Sequence, residues 1–180
     1  SLELSDIQTI AAAAQAEAQK NNWAVSIAIV DAGGHLLHFQ RLDGAPPISS
    51  HIAPSKAKTA ALGRRESKIY EDVINGGRYS FLNATAVLQG TLEGGVNIVV
   101  DGQTIGAIGV SGVKSNEDAE IAKAGKRGMT MSEVQNIAKN VKLIGYLNMV
   151  VKKVNSSPAI LNKDYIGKTS SNQLNDPDAF

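Results

Sequence analysis

Residues 94–112 read GGVNIVVDGQTIGAIGVSG, two runs rich in Val and Ile joined by Asp101-Gly102. An Asp-Gly pair between β-branched runs favours a two-residue hairpin, because a type I′ turn needs positive φ at both central positions. Alternation sets Val96, Ile98 and Val100 of the first arm against Asn97 and Val99, and puts Thr104, Gly106, Ile108 and Val110 of the second arm on one face. A strand that carries Gly106 and Gly109 and runs into Gly112 has little intrinsic β-propensity. Its backbone is therefore where a helix, a partner subunit or a flat ligand is expected to come close.

Working outward, Ser5 with Gln8 makes a capping-box pattern ahead of Ile7, Ile10, Ala11, Ala14 and Ala18, and predicts a helix from Asp6 to about Lys20. Residues 24–31 alternate as a strand, Ala32-Gly33-Gly34 turns the chain, and His35 to Arg41 returns as the antiparallel partner. Strict alternation puts His35, Leu37, Phe39 and Arg41 on one face and Leu36, His38 and Gln40 on the other, so the two histidines cannot share a metal. A helix is expected from Ser49 or Ser50 to Leu62, with Pro54 tolerated near its start, and another from Arg64 to Ile74, ended by Gly76-Gly77. Tyr79 to Leu92 reads as irregular structure with one helical turn. After the central hairpin a helix is expected from Asn116 to about Lys126, and Thr130 with Glu133 signals a separate one carrying Val134, Ile137, Ala138, Val141 and Ile144. Beyond Val154 the composition predicts an extended arm. The expectation is an α+β fold, a central antiparallel sheet flanked by helices, with an extra C-terminal helix and arm.

Composition narrows the function. The chain has 180 residues, 43% of them hydrophobic, enough for one ordinary core and an appendage. Eighteen Lys and Arg balance seventeen Asp and Glu, which argues against nucleic acid or an anionic membrane as partner. Cysteine is absent, so disulfides, thiolate zinc sites and Cys nucleophiles are excluded. No apolar run reaches the roughly 18 residues of a membrane span. A cytoplasmic location is expected, an export signal removed earlier being the other reading. Walker A, Rossmann, zinc-protease and G-x-S-x-G patterns are all missing.

The segments VSIAIVDAGGHLLHFQRLDGAP (25–46), KAKTAALG (56–63) and the central hairpin with the acidic, alanine-rich stretch behind it resemble the GlcG/HbpS-like family of haem-degrading or haem-binding proteins, relatives of the PduO C-terminal domain. The resemblance covers about residues 4–126 and implies a profilin-like fold and assembly as dimers to octamers. It divides the chain into a family domain, 1–127, and a C-terminal helix and arm, 128–180, expected to contact other subunits. It implies haem or a related flat, carboxylate-bearing ligand, while other members belong to catabolic settings.

Several side chains suit that chemistry. His51, near a helix start, is the candidate axial ligand to haem iron, although a surface histidine without a role is the commoner case. Lys56, Lys58 and Arg41 are candidates to meet acidic groups. Arg41 with Asp43 reproduces the family's polar pair, and the Arg41 fork is equally suited to tying down a neighbouring loop. Gly94 and Gly95 offer N–H groups for an anion, or simply allow close packing. The alternative reading is a lyase- or isomerase-type enzyme on a small organic or aromatic acid, with Arg41 holding the carboxylate and Glu66 or His51 moving a proton.

Overall fold

The computed structural model describes residues 1–156, so most of the arm expected beyond Val154 lies outside the described residues. The elements are α1 (Leu4–Lys20), β1 (Ser26–Asp31), β2 (Leu36–Arg41), α2 (Ser49–Gly63), α3 (Ser67–Asn75), a 3-10 turn (Tyr79–Asn83), β3 (Gly95–Val100), β4 (Gln103–Ser111) and α4 (Ser115–Asn155). The fold is α+β. One compact unit ends at Thr130 and a second begins at Met131.

In the first unit the two hairpins join through β1 and β4 into an antiparallel sheet of order β2-β1-β4-β3. Asp101 and Gly102 take φ of 51° and 75°, the positive pair that the turn between β3 and β4 requires. The two faces of the sheet differ in side-chain size. Ile27, Ile29, Ile98, Ile108 and Val110 form one core with α1 and the start of α4, through Ile10, Ala14 and Ile121. The opposite face offers Ala28, Val30 and Ala107 to an alanine stripe on α2, Ala53, Ala57, Ala60 and Ala61.

Small residues on both sides let α2 rest almost backbone on backbone. A Cβ added to Gly109 would collide with the main chain of Ala53 and Ala57, and one added to Gly95 with the main chain of Lys56. Of the three occupants expected over these glycines, a helix holds the place. Gly106, on the other face, is covered by Leu2. The bare, ligand-accessible sheet that the glycine content suggested is therefore absent from this face.

Four local expectations are corrected. Helix α1 starts earlier, in a box where the Glu3 N–H donates to Asp6 at 3.0 Å; this acidic pair pre-empts the Ser5-Gln8 pattern. Strand β2 contains a bulge: Ile29 pairs with His38 but Val30 with Leu36, leaving Leu37 unpaired. The extra residue moves Leu36 to the α2 side, where strict alternation does not place it. Helix α3 begins at Ser67, because Arg64 closes α2 in a left-handed conformation, φ 55°. Finally, α4 runs through Gly128 without a break. Gly128 lies against Ala13 of α1, and the Thr130 hydroxyl donates back to the Lys126 carbonyl at 3.3 Å instead of capping a new helix.

In the second unit the described residues continue α4, with Val134, Ile137, Val141, Tyr146 and Met149 exposed. No helix among the described residues is long and apolar enough to cross a membrane.

Candidate functional site

Burial of the alanine stripe decides what α2 shows to solvent. Residues 51, 55 and 58 follow one another at four- and three-residue spacing, so His51, Ser55 and Lys58 lie along one stripe of the helix. His51 is exposed in the first turn and, among the described residues, its ring meets no protein hydrogen-bond partner, whereas the Ser55 hydroxyl donates to the His51 carbonyl at 3.1 Å. Lys58 borders an open cleft of about 200 Å³ walled by Val30, Leu36, Pro54 and Val87. The cleft exists because the bulge turned Leu36 towards α2 and Gly34 leaves room beside the Lys58 stem.

The other two histidines are engaged. The Asp31 carboxylate accepts from the backbone N–H groups of Gly33 and His35, both at 2.9 Å, and lies 3.2 Å from His35 Nδ1. The His35 N–H contributes most to holding the Asp31 carboxyl below its ordinary value. His38 is bonded to Gln40 at 2.8 Å, and Gln40 in turn donates to Gln15 of α1. No cluster of three or more potential metal ligands occurs among the described residues.

Arg41 sits elsewhere. Its Nε and Nη2 both donate to the Ala45 carbonyl, at 3.0 and 2.7 Å, so the fork ties down the loop that leads into α2. With Asp43 it also borders a polar groove of about 610 Å³ that includes Gln15, Gln19 and Trp23. Lys58 lies beside Gly34, ahead of β2, while Arg41 ends that strand; the six residues from Leu36 to Arg41 span about 16 Å. The pair does not converge on one acidic group. Glu66 precedes α3 and faces Lys123 at 3.9 Å, and it borders neither the groove beside Arg41 nor the cleft beside Lys58. Gly94 and Gly95 serve packing: the Gly95 N–H donates to Ser67 Oγ at 2.8 Å, and the Lys56 side chain lies over Gly94.

One polar pair escaped the sequence reading, which set Lys56 beside Lys58 to meet acidic groups of a ligand; burial against Asp118 corrects that placement. Lys56 is 1% exposed and donates to Asp118 Oδ2 and to the Val110 carbonyl, both at 3.0 Å. Asp118 Oδ1 accepts the Val113 N–H at 3.1 Å. Burial pushes the Asp118 carboxyl above its ordinary value, against the pull of the Lys56 ammonium and of that N–H. The signal in the sequence was the position of Lys56 within the Ala53, Ala57, Ala60 stripe, which puts it on the covered side, while Lys58, two residues on, turns about 200° away.

Known proteins share this architecture. The profile of the family described as haem degrading protein HbpS-like matches residues 2–127. Protein GlcG of Escherichia coli (strain K12) is 61% identical over 102 residues, 57% of this chain and 75% of its own. The corrinoid adenosyltransferase PduO of Salmonella typhimurium is 33% identical over 125 residues, 68% of this chain and 37% of its own. Among solved structures, a PduOC:heme complex superposes with a TM-score of 0.65 at 32% identity, covering 71% of this chain and 94% of that one. HbpS superposes with a TM-score of 0.64 at 30% identity, covering 69% and 86%. With its sheet, its helices and most of its length accounted for in this way, the chain belongs to the HbpS-like family.

Proposed function

We propose that this protein binds haem, or a related flat ligand bearing carboxylates, on the outer stripe of α2, and that it does so as a homo-oligomer. The observation that carries the reading is His51: an exposed imidazole that meets no protein partner among the described residues, on a helix fixed to the sheet by its backbone. A neutral imidazole supplies one axial bond to haem iron. Lys58 lies seven residues along the same stripe, about 10 Å by helical rise, a distance suited to meeting a propionate while one edge of the ring system rests at the mouth of the half-polar cleft. The haem complex of the PduOC relative supports the ligand class. The exposed apolar side chains of residues 134–149 support self-association. Arg41 stays with its loop in this reading.

Titration with hemin, followed through the Soret band, tests it. The expected result is a shifted, saturable Soret band that His51→Ala abolishes or moves, that Lys58→Ala weakens about two- to fivefold as an exposed ion pair does, and that Arg41→Ala leaves alone. A spectrum that remains that of free hemin at every protein concentration refutes haem binding. A band unchanged by His51→Ala refutes the assignment to α2.

A further inference from the structure

The polar groove of about 610 Å³ beside Arg41 lies between the second half of α1 and the end of β2. Two of its groups are held in place by bonds to residues outside its lining. Gln40 Oε1 can only accept, so His38 Nε2 donates to it, and Gln40 Nε2 donates in turn to Gln15 Oε1, both at 2.8 Å. That chain fixes the Gln15 amide and leaves its NH₂ group without a protein partner among the described residues. Arg41 is fixed in the same manner: Nε and Nη2 are spent on the Ala45 carbonyl, and the Nη1 edge keeps its donors. Beside these donors stand two exposed side chains, neither with a protein partner among the described residues: Asp43, whose carboxylate only accepts, and Gln19, whose amide donates and accepts. Trp23, half-buried against the larger core, lines the groove as well.

Donors and acceptors are therefore both unmatched, and the formal charges of Arg41 and Asp43 cancel, so the groove favours neither an anion nor a cation. A ligand suited to it is neutral, carries several groups that donate and accept at once, and has one flat apolar side. Sugars combine these properties. Each hydroxyl is donor and acceptor together, and neighbouring hydroxyls match the paired N–H groups of a guanidinium or the paired oxygens of a carboxylate. The C–H face of a pyranose ring, its hydrogens slightly positive, suits the negative face of an indole. The volume falls within the roughly 300–1,000 Å³ of small-molecule sites. A free amino acid would take up Arg41 and Asp43 and leave the fixed Gln15 amide idle. We propose that this groove binds a neutral pyranose sugar, stacked on Trp23 with its hydroxyls on Gln15, Gln19, Arg41 and Asp43. It shares no lining residue with the cleft beside Lys58, and the proposal does not rest on haem binding.

Trp23 is the one tryptophan of the chain, so its fluorescence reports on this groove. The test titrates the full chain with a panel of neutral mono- and disaccharides, and with free amino acids and nucleosides for comparison, followed by tryptophan fluorescence and by saturation-transfer NMR. At least one sugar is expected to give a saturable change in both. Asp43→Ala is expected to weaken its binding about tenfold, the size of a hydrogen bond to a charged group, and Gln19→Ala about fivefold, the size of a neutral one. The double variant should lose the response with its far-UV circular dichroism unchanged, since both side chains are exposed and neither Arg41 nor the core is touched. A panel in which no sugar produces a saturable response, a response retained in full by the double variant, or tighter binding of an amino acid or a nucleoside than of any sugar would each overturn the assignment.

Discussion

Replacing Lys56 with Met while leaving Asp118 in place strands a carboxylate that is 1% exposed and whose remaining neighbour is the Val113 N–H. At 3.0 Å, an effective dielectric of about 20 gives an attraction of about 5 kcal/mol between the two charges. Measured costs of breaking one side of a buried pair are about 3–5 kcal/mol, and that range is expected for Lys56→Met in urea denaturation. It is a large part of a total stability of about 5–15 kcal/mol. Lys56→Met combined with Asp118→Leu is expected to recover most of the loss, because apolar replacements of both partners remove the desolvation as well as the attraction. The pH dependence carries a sign of its own. Asp118 already has its folded-state pKa raised above 3.8, and loss of the ammonium raises it further. Over the interval between 3.8 and the raised value the native state of Lys56→Met holds more protons than the unfolded chain. Its stability contribution from Asp118 is therefore complete below 3.8 and is lost as pH rises through the folded value. The deficit of Lys56→Met should thus shrink as the solution is acidified. A single-variant loss below about 1 kcal/mol, the size of an exposed pair, or a deficit independent of pH, refutes the reasoning.

Gly109→Ala adds a methyl that meets the main chain of Ala53 and Ala57, and should lose about 1–3 kcal/mol in the same denaturation assay, as overpacked sites do; a neutral result would mean that α2 can lift from the sheet. Asp31→Ala removes the acceptor of the Gly33 and His35 N–H groups. Because the folded-state pKa of Asp31 is depressed, its contribution is present above 3.8 and lost as pH falls through the folded value, so wild type and variant should differ at neutral pH and converge in acid-unfolding curves. Ile137→Asp together with Val141→Asp charges two side chains that are 62% and 63% exposed and four residues apart on one helical face; sedimentation velocity should report a smaller assembly than the wild type, and an unchanged one would take that face out of the interface.

The fold was legible where local rules and packing agree. Asp101-Gly102 between β-branched runs admits one compact connection, and the alanine and isoleucine spacing of α1 and α2 marks the faces that meet a sheet. It was misread where a long-range contact overrides a local signal. Gly128 looks like a terminator in isolation, yet in α4 its missing side chain makes room for Ala13. Leu37 looks like the next step of an alternating strand, and only the pairing with β1 reveals the bulge. The site was less legible still. Residue type does not separate Lys56 from Lys58, since a lysine is almost always on the surface; only the alanine stripe that Lys56 shares marks it as the one on the side of α2 that the sheet claims. Arg41 was readable both as a carboxylate clamp and as the tie of a neighbouring loop; the structure shows the second, and the particular acceptor, a backbone carbonyl, is one that no side-chain pattern reports.

Contact between the main chain of α2 and the glycines beneath it has a mechanical consequence. With no cushion of long side chains in between, the helix has little freedom to roll or slide, and the groups along its outer ridge keep their mutual spacing whether or not anything is docked there. A ligand held on α2 as proposed would be selected by outline, because a helix seated in this way shifts little to welcome a molecule of the wrong breadth.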